Sequence, residues 1–261
     1  MINQFLRSFW QNSITLIMFA FLKINVKGIE NLPKEEMPLI LFANHFSYLD
    51  PIILTSRVPR RARFLAASQM KKVFFFSHLL KVFKGIPVQR GKVDRDAIKV
   101  SINHLKDGGM LGVFPEGGII LELQEKIARG EEIVDIPNTK SRLPAVLGKA
   151  RVGTAYIAAQ ANAYMLPIAM NGTQHIEANM KRFPWKRTEV TIVFGKPYGP
   201  IEIDPALKGR AKREALEAHS ALMMEKIAEL MPVENRDAVV TKDAGFSGIR
   251  GAGNLRQSQA W

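Results

Sequence analysis

The sequence predicts an α/β fold: a largely parallel twisted sheet flanked by helices, with an amphipathic, membrane-binding helical segment at the N-terminus. Apolar runs of strand length alternate with stretches of helical period along most of the chain. With 261 residues and 47% hydrophobic composition, the chain can bury one substantial core. No internal repeat or long low-complexity segment interrupts it. The expected organisation is an interfacial helical segment over residues 1–24, one α/β domain over 25–236, and a loosely ordered tail over 237–261.

The opening segment carries Phe5, Leu6, Phe9 and Trp10, then the mostly apolar stretch Ile14 to Leu22. That stretch is too short to cross a hydrocarbon core of about 30 Å. No small-residue cleavage site precedes Lys23, so a secretory signal is not indicated. An aromatic-rich helix with Arg7 on it suits the plane of a membrane interface; the alternative is a helix that covers the sheet. Lys23 to Val26 begins the first strand. Leu39 to Ala43 is an unbroken apolar run, the signature of a buried strand. Ser47 with Asp50 three places on, ahead of Pro51-Ile52-Ile53-Leu54, forms a capping-box helix start.

Further along, Arg63 to Ala67 reads as a strand and Lys71 to Lys84 as a helix stopped by Gly85. Ile86 to Val88 is a short strand. Asp94 caps a helix to Asp107, with Ala97, Ile98, Ile102 and Leu105 on one face and Gly108-Gly109 ending it. Met110 to Phe114 is the next strand. Residues 118–143, rich in Glu, are expected to form a helix and loop inserted at the surface or over a pocket. A helix beginning around Lys149 to Gly153 continues over Ala155 to Ala163, Met165 to Met170 is a buried strand, and Glu189 to Gly195 a strand of high β propensity. Leu216, Leu222, Met223, Ile227 and Leu230 repeat at helical spacing and predict one long helix over Ala206 to Leu230.

Net charge is +13 with a pI near 10.0. Nucleic acid, an anionic membrane surface, or an acidic carrier and phosphorylated substrate would each suit such a surplus. No zinc-finger, RNP or basic-zipper pattern supports nucleic acid. Arginines and lysines from Arg57 to Lys84 are interleaved with Phe64, Leu65 and Phe74-Phe75-Phe76, which favours a membrane. The absence of cysteine removes disulfides, thiolate metal sites and a cysteine nucleophile. No Gly-x-Ser-x-Gly elbow supports a serine acyl-enzyme, and no P-loop or G-x-G-x-x-G supports nucleotide chemistry.

The chemistry concentrates in Asn44-His45-Phe46-Ser47-Tyr48-Leu49-Asp50, at a turn from strand to helix. A histidine beside a carboxylate can take a proton from a hydroxyl, the carboxylate fixing its tautomer and stabilising the imidazolium. His45 is therefore the candidate general base and Asp50 its orienting partner. A base without an evident nucleophile implies direct transfer in a ternary complex. Other motifs follow in order: Gly85-Ile86-Pro87-Val88-Gln89-Arg90, then Phe114-Pro115-Glu116-Gly117 after a strand. Together these motifs resemble the glycerolipid acyltransferase family, in particular its 1-acylglycerol-3-phosphate acyltransferase branch, over roughly Gly28 to Tyr198.

That resemblance implies transfer of a fatty acyl chain from acyl-CoA or an acyl carrier protein to a phosphorylated lysolipid. It implies work at the cytoplasmic face of a membrane, with no metal or organic cofactor. It assigns Arg90 to the acceptor's phosphate, and Glu116 and Gly117 to the lining of the acceptor site. Two positions depart from the family. The arginine expected soon after Glu-Gly is missing, leaving Arg142 as a replacement across the insertion. A lysine associated with the oxyanion is replaced by the stretch Ala66 to Lys72. Acylation of another lipid or glycolipid hydroxyl or amine remains an alternative, as does a catalytically silent membrane-binding protein.

Overall fold

The computed structural model describes residues 8–10, 12, 13, 16, 18, 20–58, 62–68, 70, 74–89, 93–117, 147, 148, 150–176, 179, 180 and 187–232. Within them seven strands form one sheet in the order β1-β7-β6-β2-β5-β3-β4. The strands are β1 (Leu22–Lys27), β2 (Leu39–Ala43), β3 (Ala62–Ala67), β4 (Ile86–Val88), β5 (Met110–Val113), β6 (Tyr164–Asn171) and β7 (Thr188–Phe194). Strands β2 to β6 run parallel; β7 pairs antiparallel with β6, and β1 runs parallel to β7 at that edge. The predicted largely parallel α/β sheet is thus the observed one. The reversed pair at the edge is a long-range arrangement that local periodicity does not carry.

Five helices longer than one turn accompany the strands among the described residues from Leu22 onwards: α1 (Asp50–Arg57), α2 (Phe74–Val82), α3 (Arg95–Lys106), α4 (Val152–Ala161) and α5 (Gly209–Glu229). Every residue of β2 is buried, as expected for the middle of a sheet covered on both faces. Its alternation divides the core. Ile40 and Phe42 pack with Ile157 of α4 and Met223 and Ile227 of α5. Leu39, Leu41 and Ala43 pack with Ile53 and Leu54 of α1. Each of these buried Leu, Ile, Phe and Met side chains contributes about 1.5–3 kcal/mol of apolar transfer.

Two helix starts differ from expectation. The long helix begins at Gly209 rather than Ala206, because Asp204 Oδ1 accepts the Ala206 N–H at 2.8 Å and holds a turn there. The helix after His45 begins at Asp50, one residue after an N-cap, Leu49, whose side chain offers no cap. Half of the capping box is present: the Asp50 carboxylate reaches back to the Ser47 N–H. Ser47 Oγ instead accepts the N–H of Leu49 at 3.2 Å.

Near the N-terminus the described residues 8–10, 12, 13, 16, 18, 20 and 21 are helical. Phe9, Leu16 and Phe21 are exposed there, while the Trp10 ring lies 4.9 Å from that of His78. No helix of the described residues is long and apolar enough to cross a membrane. Residues 22–24, expected within the helical segment, instead open β1, because they pair with residues 188–190; the other residues of 1–21, the 118–143 insertion and the tail at 237–261 lie outside the described residues.

Candidate active site

The parallel strands deliver their carboxyl ends to one edge, where open α/β sheets bind ligands. At the end of β2, Asn44 continues the pairing with β6 through its side chain. Its Nδ2 donates to Met170 O at 2.8 Å and its Oδ1 accepts from Met170 N at 2.7 Å. The backbone is thereby held at the residue before it turns away from the sheet.

His45 comes next and is 8% exposed. Its Nδ1 lies 2.9 Å from Asp50 Oδ2. A carboxylate only accepts, so Nδ1 carries the proton and Nε2 presents the lone pair. The same Oδ2 accepts the N–H groups of Phe46 at 2.7 Å and Ser47 at 2.8 Å. Asp50 is fully buried. The predicted base and its partner are therefore joined as the sequence implied, and a single oxygen organises the turn that carries them.

Glu116 and Gly117 follow β5 and meet the same turn. Glu116 is 2% exposed, and its Oε1 accepts the N–H of His45 at 3.2 Å. Its Oε2 accepts the N–H of Gly148 at 2.6 Å. The carboxylate thus ties the His45 turn to the segment leading into α4. Pro115 and Gly117 border the adjoining cavity, whereas Glu116 is not on its wall. Gly117 has φ +94°, a left-handed conformation that favours glycine. A side-chain carbon at Gly117 would also come within 2.9 Å of Arg151 Nε.

Arg151 is a site residue the sequence reasoning missed. It precedes α4, its N–H donates to Pro115 O at 2.9 Å, and it lines the cavity with Val152, Gly153 and Thr154 of the first helical turn. It supplies beside Gly117 the guanidinium that family resemblance sought immediately after that residue. The signal available in the sequence was a basic residue at the start of the glycine-containing helix. Arg90 and Arg142 lie outside the described residues.

The cavity beside His45 has a volume of about 950 Å³. His45, Gly117 and Arg151 lie on its wall, which also includes Leu65, Leu80, Val88, Ile98 and Ile102. Asp94, on the wall, accepts the N–H groups of Ala97 and Gln89 at 3.0 Å each. These bonds hold its carboxyl below the ordinary aspartate range and secure both the start of α3 and the preceding loop. Such a site sets an imidazole, held by a carboxylate, beside a cavity with room for a long apolar chain.

A family model described as Acyltransferase matches residues 23–171. A chloroplastic 1-acyl-sn-glycerol-3-phosphate acyltransferase of Arabidopsis thaliana is 23% identical over 197 residues, covering 75% of this chain and 48% of that protein. A 1-acyl-sn-glycerol-3-phosphate acyltransferase of Bacillus subtilis is 26% identical over 110 residues, covering 42% of this chain and 55% of that one. The chain spans about half the length of these curated relatives. The crystal structure of a 1-acyl-sn-glycerophosphate acyltransferase from Thermotoga maritima shares the fold, with a TM-score of 0.56 at 20% identity. The match covers 86% of this chain and 80% of that one.

Proposed function

The chain belongs to the acyltransferase family, and on that premise we propose that it moves a fatty acyl chain from acyl-CoA or an acyl carrier protein to the free hydroxyl of 1-acylglycerol-3-phosphate, in phospholipid synthesis. The observation that carries this reading is the His45–Asp50 pair set against an apolar cavity of about 950 Å³. The names of the relatives support the choice of acceptor.

In this mechanism His45 Nε2 takes the proton of the acceptor hydroxyl as its oxygen attacks the thioester carbonyl. The new C–O bond gives a tetrahedral oxyanion, which backbone N–H groups stabilise. Collapse breaks the C–S bond, and the departing thiolate receives the proton from the imidazolium. Asp50 opposes the positive charge on the ring throughout. Because a thioester already carries a good leaving group, the step calls on no metal or organic cofactor. The acyl chain lies in the apolar part of the cavity. Arg151 and the first turn of α4 face the acceptor's phosphate, where a guanidinium fork and free N–H groups favour an anion. Arg90 is assigned to the same phosphate through its motif. Glu116 holds the base's turn, and Gly117 lets Arg151 approach.

The enzyme would act at the cytoplasmic face of a membrane, where such an acceptor resides. The net charge of +13 and the exposed Phe9 and Leu16 support this. Thiol release from acyl-CoA and from acyl carrier protein, measured with several acceptors, tests the whole reading. Release is expected with 1-acylglycerol-3-phosphate, more from vesicles than from a short-chain soluble form, with stoichiometric diacyl product. Release with only a glycolipid or an amine would reassign the acceptor. Failure with every acceptor would leave a silent membrane-binding protein.

In the same assay Arg151→Ala is expected to raise KM for the phosphorylated acceptor by roughly 10- to 100-fold, the value of a lost charged hydrogen bond, and to leave the donor's KM unchanged. An equal rise for both substrates would assign Arg151 elsewhere.

A further inference from the structure

The imidazole of His45 stacks on the ring of Phe114, with centroids 4.2 Å apart and planes at 24°. Phe114 in turn stacks on Phe64, at 6.1 Å and again 24°. This row is built by the sheet. Phe64 on β3 pairs directly with Gly112 on β5, and Phe114 lies two residues beyond Gly112 on the same face. A side-chain carbon at Gly112 would sit 2.2 Å from Phe64 Cε1, so the ring occupies the space that any larger residue would fill. Glycine there weakens a buried strand, a cost that its backbone geometry alone does not explain.

We propose that Phe114 is a positioning residue for the transfer reaction, holding the plane of the His45 ring and stabilising the imidazolium with its π face, with Phe64, seated over Gly112, fixing Phe114 from behind. The proposal rests on His45 acting as the base. A cation within about 6 Å of an aromatic face is attracted to its negative quadrupole, and burial strengthens the attraction. Neutral imidazole gains little from this, so the stack favours the state formed when the acceptor's proton arrives. Interactions stronger in the transition state than in the ground state are those that raise kcat. Among the described residues, the carboxylates of Asp50 on Nδ1 and of Glu116 on the backbone N–H face His45, and Arg151, beside Gly117, lines the same cavity. None of these is altered by changing Phe114.

The test is a fluorinated series at position 114, phenylalanine to pentafluorophenylalanine. It keeps the ring's shape while reducing and then inverting its quadrupole. Expected are a progressive fall in kcat reaching roughly 3- to 30-fold, unchanged KM for both substrates, and an acid limb of kcat/KM displaced to lower pH. NMR titration of the His45 ring, which needs no turnover, should show protonation at lower pH along the series. Phe64→Leu should move both readouts the same way by less. An unmoved NMR titration, or a loss confined to KM, would overturn the proposal and make Phe114 a cavity wall. If the titration moves while His45→Ala remains active, the stack stands and the assignment of the base fails.

Discussion

His45→Ala is expected to lower acyl transfer by on the order of 10²–10⁴, the usual contribution of a positioned general base, while the protein still folds. The ring is the group facing the cavity at the sheet edge, and none of the other four histidines borders that cavity among the described residues. His104 Nε2 lies 3.0 Å from Met110 O, and His78 packs against Trp10. Neither can substitute. Folding should survive because Asp50 Oδ2 keeps two backbone donors after the imidazole is gone. The measurement is thiol release by purified variant whose circular dichroism and unfolding midpoint match the wild type. Near-normal turnover from such a sample would sink the mechanism.

Much of this was legible because it is local. β2 shows as five consecutive apolar residues, and all five are buried. Asp94 reads as an N-cap, and its Oδ1 accepts the Ala97 N–H at the start of α3. His45 and Asp50 lie within one turn of chain, so the spacing that suggests them also brings them together. What escaped is separated in sequence. Asn44 stands beside His45 in the sequence, yet its clamp is Met170, 126 residues away. Resemblance places Glu116 at the acceptor site, whereas its carboxylate accepts the backbone N–H groups of His45 and Gly148, 71 and 32 residues away. Arg151 lies beyond the insertion, and only the fold brings it to Gly117. Gly112 lies within a strand, and only the pairing of β3 with β5 brings Phe64 over it.

The second large effect is expected at Asp50, where two substitutions separate charge from scaffold. In Asp50→Ala, the Phe46 and Ser47 N–H groups lose their acceptor next to a fully buried position, along with the His45 ring. Unsatisfied buried donors cost about 1–3 kcal/mol each. The sum is a large part of an ordinary domain stability of about 5–15 kcal/mol. For the two backbone donors alone, about 2–6 kcal/mol, the unfolding midpoint should fall by roughly 4–24 °C at the usual 2–4 °C per kcal/mol for a chain of this size. Transfer should be lost as the turn loosens. In Asp50→Asn the amide oxygen can take the place of Oδ2 and keep all three donors. The amide nitrogen then occupies the Oδ1 position, which has no hydrogen-bond partner among the described residues. The amide N–H groups there are themselves unpaired, so stability should drop, but by less than in the alanine variant, where three donors lose their acceptor. The negative charge 2.9 Å from the ring is nevertheless gone, so the imidazolium formed during transfer loses its counter-charge. A fall in kcat on the order of 10², smaller than that of His45→Ala, is expected. The acid limb of the pH–rate profile should move to lower pH, because the ring binds its proton less readily without the carboxylate. Thermal unfolding and pH–rate profiles of both variants decide the matter. An asparagine variant with wild-type kcat would remove Asp50 from the chemistry, and an alanine variant with a wild-type midpoint would remove it from the scaffold.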